Sequence, residues 1–331
     1  MFLGIIYAIL CSILLSAYSI ARKFTKQNAI AYTVWIGIAF FITTAIIYGV
    51  VVLAGWGVDE PLISPWHLLS LLLGMVWVFA SACVSFAVDK IGLSKSTQWK
   101  NLQGPIAAIL MLAFLSDVVG SKIWLVLCGF IVMFISAMLF NINKNQTKEV
   151  NKNAWQGVLL SVLGAVGFGV YAFLQKILTN NGFVLTPILY ASLAVALFSL
   201  FIYVVRYRKI KDLFTINESV LVNPFLSKQN AIGTGQNNMN VVANKKLSLF
   251  KQMSPPIIAG VLTSAVVILN MLSFREIAGS VAFGIIQANV IWTILVGILV
   301  FREINFRQNW LRITCGFISA IGAVVLLIFS L

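Results

Sequence analysis

The sequence predicts an all-α, polytopic membrane protein of ten transmembrane helices, arranged as two inverted five-helix repeats. Three observations predict it. Hydrophobic residues fill 60% of 331 positions and charged residues only 10%, where a soluble domain carries roughly 25% charge. Ten apolar segments have the length, about 20 residues, that crosses a hydrocarbon core. The second five segments also repeat residues of the first five at nearly fixed offsets.

Mean hydropathy is +0.99. A soluble fold cannot hide so much apolar surface, so the solvent is lipid. The 23 Lys and Arg outnumber the 9 Asp and Glu. Such an excess also suits a nucleic-acid binder. Here, however, the basic residues sit in short loops between apolar runs, where the positive-inside rule places them. The expected partners are therefore the bilayer and a small polar solute, with no nucleic acid. Cys11, Cys83, Cys128 and Cys315 each lie inside an apolar run, without metal-ligand spacing. They read as small buried hydrophobes. No metal or other cofactor is expected.

The first span is Phe2–Ile20, an apolar run with the basic Arg22 and Lys23 after it and no basic segment before it. That order marks a first span rather than a cleaved leader. Next come Ala31–Ala54, His67–Val88, Ser94–Leu115 and Gly120–Phe140. A polar linker, Asn141–Asn153, separates the halves, 1–145 and 146–331. The second half holds Trp155–Leu178, Leu185–Val205, Pro255–Phe274, Ser280–Phe301 and Asn309–Phe329. A polar loop at 206–254, rich in Asn, Lys and Gln, lacks helical periodicity over any length. It is expected to be disordered, with an amphipathic helix near Leu213–Leu226 as the rival reading. Odd-numbered loops hold 20 of the 23 basic residues, counting Lys100 and Arg312 with them. This bias predicts cytoplasmic odd loops, with both termini outside the inner membrane.

Shifting helix one by 153 positions onto helix six aligns Gly4 with Gly157, Tyr18 with Tyr171 and Lys23 with Lys176. Shifting helices three to five by 186 onto eight to ten aligns Ile91 with Ile277 and Ser94 with Ser280. The same shift aligns Asp117 with Glu303 and Trp124 with Trp310. One further residue matches Cys128-Gly129-Phe130 with Cys315-Gly316-Phe317. Five is odd, so a second half of five helices enters from the opposite side. Inverted repeats characterise secondary transporters, with the solute site near the midplane between the halves.

Ile91-Gly92-Leu93-Ser94 through Gly104-Pro105 to Asp117 carries a family resemblance. So does Ile277-Ala278-Gly279-Ser280 through Phe301-Arg302-Glu303 to Gly322. With ten helices and an acid closing helices four and nine, the chain resembles the drug/metabolite transporter superfamily. The Gln98-Trp99-Lys100-Asn101 run looks closest to its glucose, ribose and rhamnose uptake branch. Two departures stand out. Val290 aligns with Gly104 without a following proline, and Ser116 and Arg302 stand where a glycine precedes the acid. The resemblance implies a central cavity lined by helices three, four, eight and nine, and alternating access.

Polar side chains inside membrane helices need a reason. Asn101 aligns with Gln287, and Gln103 with Asn289. Trp99, Lys100 and Gln103 share one helical face; Asn289, Trp292 and Thr293 share the matching one. An aromatic platform beside an amide suits a sugar-like solute. The plainer reading is that these amides bond helices together. Lys100 is either a cavity cation or a lysine snorkelling to the headgroups. Asn270 is a second-tier candidate, and Tyr18, Tyr171, Tyr32 and Trp35 read as interfacial aromatics. Glycines in helix six, including Gly164 and Gly167, read as packing sites first and a hinge second.

The expected function is secondary transport of a small polar metabolite, with a sugar foremost. The alternative is export of amino acids, other metabolites or drugs by the same architecture. No carboxylate lies in mid-membrane, which disfavours proton-coupled export of cations. Without an acid–base or metal-ligand set, an embedded enzyme is the remote alternative. A monomer is the default, since ten helices can form a complete carrier.

Overall fold

In a computed structural model of the chain, the described residues are 1–25, 27–55, 60–91, 96, 99–118, 120, 122–139, 154–207, 249–300 and 306–331. Among them there is no strand. Nine stretches are helices long and apolar enough to cross a membrane, and one further apolar helix is shorter. The helices are α1 Phe2–Ala21, α2 Ala29–Leu53, α3 Trp66–Ile91, α4 Gln103–Leu115, α5 Lys122–Leu139, α6 Ala154–Asn180 and α7 Leu185–Tyr207. They continue with α8 Leu249–Glu276, α9 Gly279–Ile286, α10 Asn289–Leu299 and α11 Phe306–Phe329. Together α9 and α10 form the ninth span, interrupted by a turn at Gln287 and Ala288.

Large apolar side chains point outward around the bundle, among them Ile46, Phe114, Ile131, Phe201 and Ile318. A continuous apolar exterior of this kind is stable against lipid rather than water. Inside, large side chains such as Phe40, Leu73 and Phe274 are buried, and small residues stand where helices approach most closely. Without a hydrophobic drive between helices in lipid, close backbone approach has to hold them. On α6, a Cβ added at Gly164 would stand 2.6 Å from Val84 Cγ2, and one at Gly167 would stand 2.8 Å from the Ala80 Cβ. These are packing glycines that seat α6 on α3. Interior hydroxyls turn back to the preceding helical turn, as Thr33 does to Ala29 O and Thr263 to Ala259 O. That satisfies them without water.

The helices pair across the two halves. α1 packs on α8, and α6 on α3. α2 packs on α7 and α8, and α7 also on α3. α4 lies on α6, the α9–α10 pair lies on α1, and α5 packs on α11.

Several expectations from the sequence are corrected. α8 starts at Leu249, ahead of Pro255 and Pro256, so the prolines lie inside the helix instead of opening it. Each removes one i→i−4 bond, which a helix of 28 residues absorbs. Cys11 and Cys83 are buried, but Cys128 and Cys315 are exposed on the outer surface. An apolar side chain is equally at home facing lipid or core. Tyr32 and Trp35 are buried in the bundle rather than exposed at an interface, and the Arg22 guanidinium lies 4.8 Å from the Tyr32 ring centre. The linker between halves, most of the long loop with Leu213–Leu226, and residues Ser94, Gln98, Arg302 and Glu303 lie outside the described residues.

Candidate functional site

Pro105 shapes the fourth span. It has no N–H to give the carbonyl of Asn101, and its ring crowds that carbonyl. Trp99 and Lys100 are helical, Asn101 and Leu102 form a turn, and α4 restarts at Gln103. Pro105 then lies in the first turn of α4, where an N–H is not required. The ninth span is broken in the same manner at Gln287 and Ala288, with neither proline nor glycine at the break. There the Gln287 N–H is shared between Phe283 O and Gly284 O.

The two breaks meet. Gln103 Nε2 donates to Gln287 Oε1 at 2.9 Å, both side chains being buried. Gly104 allows the approach, since a Cβ there would stand 3.0 Å from Gln287 Cγ and from Phe130 Cε1. The Gln287 Nε2 group is left without a partner.

Beside this junction is an interior cavity. It leaves about 600 Å³ free of protein atoms, open space included, of which about 70 Å³ admits the centre of a water-sized sphere. That is room for several waters. Its polar wall is formed by Lys100, Gln103, Asn270, Thr263, Tyr18 and Tyr171. Its apolar wall includes Trp77, Phe168 and Phe283. Lys100 holds its Nζ 5.0 Å from the Phe168 ring centre. Asn270 Nδ2 donates to Gln175 Oε1 at 2.8 Å, and Gln175 Nε2 donates to the Tyr171 hydroxyl at 3.2 Å. The Asn270 Oδ1 atom is buried without a partner. No carboxylate lines the cavity among the described residues.

A different polar cluster closes one end of the bundle. Ser116, at φ 47°, is the one non-glycine residue with positive φ among the described residues. It ends α4 in the left-handed region and turns Asp117 inward. Asp117 Oδ2 then accepts from the Ser280 N–H at 2.7 Å and from its hydroxyl at 2.9 Å, at the start of α9. Lys176 Nζ lies 3.5 Å from Asp117 Oδ1 and donates to Phe274 O at 2.7 Å and Ile277 O at 3.3 Å. A carboxylate at a helix N-terminus satisfies orphan N–H groups and meets the positive end of the helix dipole. Glu60 does the same for α7, accepting from the N–H groups of Val184, Leu185 and Thr186.

Lys100, Gln103 and Asn270 are thus brought together at the cavity, and Gln287 reaches it through Gln103. Trp99, Asn101 and Asn289 are half-buried and do not line it. Trp292 Nε1 donates to Ser12 Oγ at 2.9 Å, and the Thr293 hydroxyl lies 3.1 Å from Ser16 Oγ, so that face is bonded to α1. Tyr18 and Tyr171 are in the cavity wall and not at the interface. Their alignment at matched repeat positions was the signal in the sequence. Gln175 had no such signal; Lys176 and Asp117 were each repeat-matched, to Lys23 and Glu303, but nothing in the sequence paired them with each other.

No family model and no curated protein matches the chain. Among solved structures, one described only as "Crystal structure of protein" superposes with a TM-score of 0.66. It covers 98% of this chain and 94% of that one, at 11% identity. The likeness is one of fold.

Proposed function

We propose that the chain is a secondary transporter that moves a small polar metabolite across the cytoplasmic membrane by alternating access. The observation that carries the reading is the interior cavity, walled by Lys100, Gln103 and Asn270 and flanked by two broken spans. Buried amides and a lysine lining a hollow within an apolar bundle are what a polar solute needs on its way through.

Two inverted five-helix repeats would supply the movement. The breaks at Asn101 and Gln287 are 186 positions apart, the offset that aligns the two halves in sequence. Numbering the spans one to ten, exchanging each with the span five places on carries several of the closest-packed pairs onto one another. The pair of spans one and eight becomes six and three. Two and eight becomes seven and three, and four and six becomes nine and one. Gly4 packs on Ile277, and its aligned partner Gly157 packs on Ile91, the residue aligned with Ile277. A pair of halves related in this way has two arrangements of similar energy, open to opposite sides. In this reading the Asp117–Lys176–Ser280 cluster holds one side shut. The drug/metabolite transporter resemblance, cytoplasmic odd loops and a monomeric carrier belong to the same proposal.

Counterflow tests it. Purified protein in proteoliposomes, preloaded with a solute that it binds, is expected to accelerate entry of labelled solute. Lys100→Ala and Asn270→Ala are expected to abolish that entry while still inserting in the membrane. Full counterflow by both variants would remove the cavity from the pathway.

A further inference from the structure

We propose that the solute this cavity takes is a small organic anion, its negative group paired with the Lys100 ammonium. The inference rests on the transport reading above and adds the charge of the solute to it.

Lys100 is the one charged residue in the cavity wall among the described residues. Its only described contact is the Phe168 ring, 5.0 Å away. A cation over an aromatic face gains about 2 kcal/mol when desolvated. Lys100 is half-buried at the cavity wall, and drawing an ammonium even partly out of water is costly. The ring alone does not offset that. Within the bundle an ammonium is ordinarily met by a carboxylate or by carbonyls, as Lys176 is. At Lys100 neither is present among the described residues. A negative group on the solute supplies the missing charge. It also forms the charge-assisted hydrogen bonds that an ammonium can give.

The remaining wall narrows the solute further. Asn270 lines the cavity, and its Oδ1 is buried and unpartnered beside the Gln175–Tyr171 chain. It accepts a hydrogen bond from a hydroxyl or amine on the solute. Trp77, Phe168 and Phe283 give flat apolar faces for a short carbon skeleton. A neutral sugar would satisfy Asn270 and the aromatic faces but leave Lys100 without counter-charge. A cationic amine or drug would be repelled by Lys100, with no acid in the wall to offset it.

The test compares solutes that differ in charge on a matched skeleton. Thermal stability of the purified protein is read with D-gluconate and D-glycerate, and with D-glucose 6-phosphate and glycerol 3-phosphate. D-glucose, glycerol and D-glucosamine serve as the neutral and cationic counterparts. At least one anion is expected to raise Tm and to bind about ten- to hundredfold tighter than its neutral counterpart. Which of the two anion types does so separates carboxylate from phosphate. In Lys100→Gln that preference is expected to vanish, and in Lys100→Arg to persist. In Asn270→Ala binding is expected to weaken with the preference for anions retained. The proposal is overturned if no anion binds better than its neutral counterpart, a result that the wild-type protein gives without any variant. Anion preference that survives Lys100→Gln overturns it as well. The transport reading fails separately, if an anion binds at Lys100 yet shows no counterflow in proteoliposomes. Counterflow of glucose or glycerol without anion binding would keep the carrier and discard the charge.

Discussion

Lys176 and Lys100 both lie within the helical bundle, and the structure treats them in opposite ways. Lys176 is buried, faces Asp117 at 3.5 Å and gives its remaining protons to two carbonyls. Lys100 faces a cavity and touches only an aromatic ring among the described residues. The first is a completed contact that joins the ends of α4, α6, α8 and α9. The second is a cation with no acid beside it among the described residues. The comparison teaches that an intramembrane lysine is judged by what meets its three N–H groups, not by its depth.

The largest expected effect breaks the completed pair. Lys176→Ala leaves Asp117 buried without its cation, which costs about 3–5 kcal/mol. Thermal unfolding in detergent should show a much lower Tm, or no folded protein. Replacing both partners with apolar residues, as Lys176→Met with Asp117→Leu, should recover much of that loss. Lys100→Ala should leave Tm unchanged or raised, since it removes a charge that no described group pairs. Equal losses for Lys100→Ala and Lys176→Ala would collapse the distinction.

Next in size is the amide pair between the broken spans. Gln103→Leu leaves both amide atoms of buried Gln287 without partners, at a cost of about 1–3 kcal/mol. The Gln103→Leu, Gln287→Leu double variant should lose less than the two single losses added. A double-mutant cycle on unfolding free energy measures this, and strict additivity would mean that the bond contributes nothing.

A smaller effect tests the loop that delivers Asp117. Ser116 holds a left-handed conformation that costs a side chain about 1–2 kcal/mol. Ser116→Gly should remove part of that strain and raise Tm, while leaving the Asp117 contacts in place. A lower Tm would show that the serine side chain contributes more than its backbone strain takes away.

The smallest concerns Trp292, bonded to Ser12 of α1. Trp292→Phe keeps the ring and loses the bond, worth about 0.6 kcal/mol within a membrane bundle. Counterflow should persist at near wild-type rate. Its loss would move Trp292 from the helix contact to the solute path.

Much of this architecture was legible in the sequence. The apolar segments give most helix bounds to within a few residues, because about 20 apolar residues in a row admit few other structures. Lys100, Gln103 and Asn270 stood out because polar groups are rare and costly among apolar helices. The shared face of Trp99, Lys100 and Gln103 assumed an unbroken helix. The turn at Asn101 and Leu102 redirects the backbone, so Trp99 leaves the cavity while Lys100 and Gln103 line it. Pro105 announced that break; nothing in the residues around Gln287 announced the other.

Residues taken in order along the chain are enough to establish that it lives in lipid as a bundle of helices, and which few polar residues lie inside. Local hydrophobicity and span length suffice for that, since both are properties of consecutive residues. Which lysine is paired was left to the tertiary fold. Asp117 and Lys176 are 59 positions apart and Gln103 and Gln287 are 184, and no local rule joins residues at such distances. Packing through small side chains brings their helices together, and it leaves Lys100 with a ring, a cavity and no acid of its own among the described residues.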